Sequence, residues 1–283
     1  MARAKRHYIP GQVWHLTHRC HKREFLLKFH KDRQNWVHWL YEAKKRYGLV
    51  IFNYTVTSNH IHLLVLDAGD RNVIPQSMQL IAGRTGQEYN QRKNRKGAFW
   101  EDRYHATAVE AGEHLCCCLV YLDLNMVRAG VVSHPAEWAY GGYNEIQQPR
   151  QRKALINYDE LCSHLGIAKY EQLKVAHREW VAEGVLKVKG NAREEMWTQS
   201  IAVGSSNFIE KTKEALGIRA KGRKLKKSGD ACELREPQFF YHDDFEGKKQ
   251  GLSAENSYFG RDYDEISGGG SLARPQLADL RKN

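Results

Sequence analysis

The switching of hydrophobic period along the first 130 residues constrains the fold more than any other feature of this chain. Residues 12–20 (QVWHLTHRC) alternate, with Trp14, Leu16 and His18 on one side and Val13, His15 and Thr17 on the other, which predicts a strand. Residues 31–48 then carry Trp36, Leu40 and Ala43 at helical spacing and stop at Gly48, a residue suited to the left-handed turn that closes a helix. Two β-branched and aromatic runs, LVIFNYTVTS and HIHLLVLD, follow with almost no turn between them, as in a hairpin or a bulged continuation. A second helix fits residues 75–91 with a proline in its first turn, and RYHATAVE reads as a fourth strand. Residues 112–130 form a third helix between two glycines. Strand, helix, strand, strand, helix, strand is the order of an α+β, ferredoxin-like antiparallel sheet with flanking helices, here with one helix more. Such a fold is compatible with many functions and selects none.

From Pro149 the pattern loosens. We divide the chain into a domain over residues 1–149, a helical C-terminal extension over 150–217, and a basic linker with a disordered tail over 218–283. In the extension, YEQLKVAHREWV and EEMWTQSIAVGSSNFIEKTKEALG read as short helices. RAKGRKLKKSGD is the linker, and GLSAENSYFGRDYDEISGGGSLARP has the low-hydrophobicity, glycine- and serine-rich composition of a chain that buries no core. No internal repeat is present.

The chain carries a net charge of +11, with most of the excess in the first 150 residues, which hold 21 Lys/Arg against 13 Asp/Glu. Clusters such as QRKNRKG, with Arg92, Lys93, Arg95 and Lys96, attract phosphate irrespective of sequence. Trp100 and Arg103 follow closely, and Trp100 and Tyr104 are aromatics interleaved with basic residues, a composition that suits unpaired bases as well as a core. Three of the six cysteines, Cys116, Cys117 and Cys118, are consecutive, which builds no C-x-x-C knuckle and suits a disulfide framework badly. No apolar segment reaches the length of a membrane helix. These features lead us to expect a cytoplasmic protein with no membrane partner, associated with the nucleoid.

The third helix is unusual. At about 100° per residue, Leu115, Leu119, Leu122 and Met126 form one apolar stripe. Val120, Leu124 and Val127 form a second, and between them runs a polar seam of His114, Tyr121, Asn125 and Arg128. Polar groups in a helix buried on two sides require partners, so the seam is expected to face a site. A second polar pair lies at the head of an apolar run: in TSNHIHLLVLD, His60 and His62 project from the same face of a strand and can converge on one ion. Fourteen histidines make roughly 0.7 such H-x-H pairs expected by chance, so the pair means little without the seam. Asn125 can add an amide oxygen, with Tyr121 one turn away. Two imidazoles and a carboxamide, with the remaining positions filled by water or phosphate, suit Mg²⁺ or Mn²⁺ better than a structural zinc. His15, His18 and His21 are read as surface residues with at best weak DNA contacts.

Taken together, these residues carry a resemblance. SNHIHLLV resembles the HUH motif (histidine, bulky hydrophobic, histidine), and YLDLNMVRAGVV resembles the tyrosine helix of the single-tyrosine transposases of IS200-like elements, the REP-associated tyrosine transposases above all. GQVWHLTHRCHKREFLL and FWEDRYHATAVE are similar to that family too, over residues 8–145. The resemblance implies that Tyr121 is a nucleophile and that His60, His62 and Asn125 hold the divalent ion; charge and aromatic composition add Arg128, Arg92, Lys93, Arg95, Lys96, Trp100 and Arg103 as candidate DNA contacts. The resemblance also implies a nuclease and strand transferase acting on single-stranded or hairpin DNA through a 5′-phosphotyrosine, as monomer or homodimer. The chain departs from the family where proline usually follows the asparagine and Met126 stands here, which lets the helix run on. A non-catalytic single-stranded DNA- or RNA-binding module explains the charge and fold and leaves the histidine pair and seam unexplained. A water-using metallo-hydrolase of the H-x-H-x-D-H kind lacks its further Asp and His, since LLVLD follows His62.

Overall fold

The alternation in the first strand decides how the rest of the chain packs. In the computed structural model, which describes residues 9–188, 194–220, 222–228 and 231–235, the leading elements are β1 (Val13–Arg19), α1 (His30–Tyr47), β2 (Val50–Val56), β3 (His60–Leu66), α2 (Val73–Arg92) and β4 (His105–Val109). Their strands lie in the order β2-β3-β1-β4, every neighbour antiparallel, which is the ferredoxin-like arrangement expected from the sequence. Trp14, Leu16, Leu63 and Val65 face one way and join Trp36, Leu40, Met78 and Ile81 of α1 and α2 in the larger core. Val13, Leu64, Leu66 and Val109 face the other way and meet α3 (Glu113–Asp123) through Leu115, Leu119 and Leu122. α1 ends where the sequence placed its stop, with Gly48 at φ 69° and its amide donating to the Lys44 carbonyl.

β2 and β3 form a hairpin whose register slips between Ile51 and Asn53. The bulge turns two successive side chains toward α3. Phe52 enters the core on that side, and Asn53 donates to the Asp123 carboxylate at 3.0 Å.

α3 does not run through to Gly130 as one helix. It is interrupted at Leu124 (φ −78°, ψ 3°), and a single turn, α4 (Asn125–Arg128), follows. At the interruption the carbonyl of Tyr121 accepts from Arg128 Nη2 at 2.5 Å, and Asn125 turns its carboxamide to the sheet. The break occurs although Met126 stands where a proline would force one.

The remaining elements are α5 (Tyr143–Gln147), α6 (Tyr158–Leu165), α7 (Tyr170–Lys187), α8 (Met196–Gln199), β5 (Ser200–Gly204), α9 (Ser206–Leu216), β6 (Lys224–Ser228) and β7 (Ala231–Arg235). The helices expected beyond residue 150 are present, but three strands accompany them and extend the sheet to β2-β3-β1-β4-β5-β7-β6. SIAVG, placed in a helical run by its neighbours, is β5, parallel to β4 with Ala108 opposite Ala202. Pairing with the exposed edge of β4 overrides the local preference. KLKKS, expected to be linker, pairs antiparallel with ACELR, whose Cys232 and Leu234 are buried. The tail from residue 236 lies outside the described residues.

α7 is tied to the domain by buried polar groups. His177 Nε2 donates to Asp123 at 2.7 Å, with both side chains fully buried, and Gln147 Nε2 donates to His177 Nδ1 at 3.0 Å. Val181 of α7 packs with Leu124 and Val120, the second apolar stripe of the seam helix. No helix among the described residues is long and apolar enough to cross a membrane.

Candidate active site

Antiparallel pairing places Thr17 opposite His62 and Arg19 opposite His60, on the face that α3 covers. The two histidine rings lie 4.9 Å apart. Tyr121, on α3, brings its ring to 5.8 Å from that of His62, and Asn125 Nδ2 lies 3.0 Å from His62 Nε2. Tyrosine, asparagine and both histidines therefore come together within one chain. Arg128 stands over the tyrosine, its guanidinium carbon 4.1 Å from the ring centre. Burial lowers the Arg128 pKa, and Tyr121 pulls it back up. Of the seam, only His114 is elsewhere, beside Glu110 at the start of α3.

The hydrogen bonds of the two histidines fix where their protons sit. His60 Nδ1 is 2.7 Å from Asn59 Oδ1, while the amide nitrogen of Asn59 is committed to the Arg23 carbonyl. An amide oxygen only accepts, so Nδ1 carries the hydrogen and Nε2 the lone pair. The Thr57 hydroxyl supports this turn, donating to the His60 carbonyl at 2.8 Å and lying 2.9 Å from Nδ1. His62 Nδ1 is 2.9 Å from His15 Nε2, and His15 Nδ1 donates to the Trp197 carbonyl at 2.9 Å. Burial pushes the His15 imidazole from its ordinary 6.5 down to about 3, against the pull of that carbonyl, so it is uncharged at neutral pH.

The histidine nitrogens and the Asn125 carboxamide are the donors here that could hold a hard divalent cation. Among the described residues no three His, Cys, Asp or Glu side chains come together as metal ligands, so the set consists of two imidazole Nε2 atoms and a carboxamide. His60 Nε2 bears its lone pair because Nδ1 has an amide oxygen as acceptor, the arrangement common to metal-binding histidines.

A cleft of about 280 Å³ opens beside the histidines, lined among others by Arg19, Arg103, His105, Glu101 and Thr198. Tyr121, only 4% exposed, borders a second cavity of about 480 Å³ between α3 and α7, with Arg128, Lys187 and Glu194. The ring of Trp197 lies 6.0 Å from that of Tyr121.

Of the residues expected to meet DNA, Arg103 lines the histidine cleft and Arg128 the tyrosine cavity. Arg92, Lys93, Arg95 and Lys96 line neither cavity. Arg92 pairs with Asp32, Lys93 lies 5.1 Å from the Phe29 ring centre, and Arg95 donates to the Ala98 carbonyl. Trp100 is engaged within the protein, stacked on His18 at 4.1 Å and donating to the Ala82 carbonyl. The reading of His15 and His18 as surface residues is corrected: their exposures are 0% and 6%. Strand alternation carried the missed signal, since it sets His15 on the face of Thr17, the residue opposite His62.

The ferredoxin-like α+β sheet thus presents a histidine pair to a tyrosine-bearing helix. Residues 10–121 match the family model described as Transposase IS200 like. The matched span includes His15, His60, His62 and Tyr121 and ends on the tyrosine. No curated protein matches the chain. Among solved structures, a REP-associated tyrosine transposase bound to a REP hairpin is similar at 17% identity and a TM-score of 0.44, covering 56% of this chain and 92% of its own. A crystal structure from Deinococcus radiodurans R1, provisionally named a transposase, is similar at 18% identity and a TM-score of 0.31, covering 42% of this chain and 92% of its own.

Proposed function

We propose that the protein is a metal-dependent single-stranded DNA endonuclease and strand transferase that works through a 5′-phosphotyrosine, at hairpin-containing repeats. The observation that carries this is the approach of Tyr121 to His62, 5.8 Å between rings, where His62 Nε2 bears a lone pair and Asn125 adjoins it. His60, His62 and Asn125 would hold Mg²⁺ or Mn²⁺. When bound, such an ion neutralises phosphate charge and orients the scissile group.

The phenol oxygen of Tyr121 attacks phosphorus in line, a P–O bond to tyrosine forms, and the bond to the 3′ oxygen breaks. The phenol proton leaves to solvent and the departing 3′ oxygen gains one, giving a free 3′-hydroxyl. The ester conserves the bond, so a 3′-hydroxyl can reverse the step and rejoin strands without ATP. Arg128, over the Tyr121 ring, favours the anionic phenolate and the negative charge gathering on phosphate. Arg19 and Arg103 in the histidine cleft attract the flanking backbone. Donors and tyrosine come from one chain, which supports cleavage by a monomer as well as by a homodimer.

The test is incubation of the protein with end-labelled hairpin-bearing single-stranded DNA and Mn²⁺, followed by denaturing electrophoresis. A tyrosine transesterase gives cut DNA and a denaturation-resistant adduct. Cutting without an adduct means a hydrolase, and binding without cutting means a non-catalytic DNA- or RNA-binding module; either result rejects the proposal.

A further inference from the structure

We infer that His15, anchored by the main-chain carbonyl of Trp197, is a positioning residue that holds His62 in the tautomer able to bind a metal ion through Nε2. The C-terminal segment is thereby a working part of the active centre. This rests on the assignment of His60, His62 and Asn125 as metal ligands.

The direction of the hydrogen-bond chain is set at both ends. A carbonyl oxygen only accepts, so the hydrogen between Trp197 and His15, across 2.9 Å, belongs to His15 Nδ1. With its hydrogen on Nδ1, the fully buried His15 ring offers a lone pair at Nε2. The 2.9 Å contact to His62 is therefore filled by a hydrogen on His62 Nδ1, leaving the lone pair of His62 on Nε2. At the far end Asn125 Nδ2, which only donates, stands 3.0 Å from that Nε2. The two imidazoles are nearly parallel, 15° apart with ring centres at 5.1 Å, so His62 is held in orientation as well as protonation.

His60 obtains the same tautomer from its own turn, through Asn59 and Thr57. His62 obtains it from a residue on another strand, which relies in turn on a carbonyl 182 positions further along. That carbonyl is firmly placed. Trp197 is 2% exposed, its indole donates to Glu194 at 2.8 Å, and β5 begins three residues on. The segment is bound to β4 as well, since Thr107 donates to the Ser200 carbonyl at 2.6 Å and His105 Nε2 lies 3.0 Å from it. An imidazole without such an acceptor prefers its hydrogen on Nε2, which would block the ligand atom. Outer partners of metal-binding histidines typically govern metal affinity by about 10- to 100-fold.

The experiment uses the full-length, metal-free protein labelled with ¹⁵N-histidine. Two-bond ¹H–¹⁵N correlations report which nitrogen of His62 is protonated, and calorimetry with Mn²⁺ reports affinity. The wild-type protein is expected to show His62 with its hydrogen on Nδ1. His15→Phe should move that hydrogen to Nε2 and weaken Mn²⁺ binding about 10- to 100-fold. His15→Gln, whose amide can accept from His62 and donate to Trp197, should retain both properties. A wild-type His62 protonated on Nε2, or His15→Phe binding Mn²⁺ as the wild type does, overturns the inference. If His15→Phe does not fold, the wild-type tautomer and the His15→Gln affinity decide. Absence of Mn²⁺ binding to the wild type overturns the ligand assignment and this inference with it. A Nε2-protonated His62 in a protein that binds Mn²⁺ overturns the inference alone.

Discussion

Asn125 Nδ2 meets His62 Nε2 at 3.0 Å although 63 positions separate the two residues. The contact lies where α3 is interrupted at Leu124 and α4 begins with Asn125. If the carboxamide is a ligand, its oxygen contributes as a neutral donor. Asn125→Asp should then bind Mn²⁺ more tightly than wild type, and Asn125→Ala more weakly, because hard cations favour anionic oxygen. Calorimetric titration of the three proteins checks the order; equal affinities would remove Asn125 from the ligand set.

Tyr121→Phe deletes one oxygen and keeps the ring that packs near His62, His15 and Trp197. Adduct formation should vanish while DNA binding, followed by fluorescence anisotropy, stays near wild type. Stability should change by no more than about 1.5 kcal/mol, the net worth of one hydrogen bond. A variant that still forms the adduct would assign the nucleophile elsewhere.

Particular residues show why part of this structure was legible in the sequence and part was not. β1 to β4 and the first two helices each declare themselves by a local period, and the seam of Tyr121, Asn125 and Arg128 follows from helical geometry alone. β5 is different: SIAVG has only five residues, flanked by helical segments, and becomes a strand because the edge of β4 is available to it. KLKKS carries three lysines and reads as a linker until its register with ACELR is known. His15 was misread because its neighbours in sequence, His18 and His21, invite a surface reading, whereas its partners lie 47 and 182 positions away. The Trp197 carbonyl that completes the chain is a backbone atom, and no side-chain pattern announces it.

The buried pair of Asp123 and His177 makes α7 part of the domain. Asp123 also accepts from Asn53, so its removal strands donors from two directions. Asp123→Ala should destabilise the protein by about 2–6 kcal/mol, because the buried donors of Asn53 and His177 each lose their acceptor at a cost of about 1–3 kcal/mol. Urea unfolding measures this, and a loss under about 1 kcal/mol would mean that the network is not what fixes α7.

Arg128 is bonded to Tyr121 in two ways, its guanidinium over the ring at 4.1 Å and its Nη2 on the tyrosine's own carbonyl at 2.5 Å. The first places positive charge beside the phenol, and the second spans the interruption between α3 and α4. Lysine reproduces the charge but neither the planar stack nor the forked geometry. Arg128→Ala should slow single-turnover adduct formation about 100-fold, the scale for losing one preorganised charge-stabilising donor, with Arg128→Lys between it and wild type. Mn²⁺ affinity separates the two roles. If Arg128 acts on Tyr121 alone, affinity stays unchanged while the rate falls. If it also sets the turn at Leu124, affinity falls in step, because Asn125 has lost its place. Arg128→Ala with wild-type rate and wild-type affinity would leave the guanidinium no part in either.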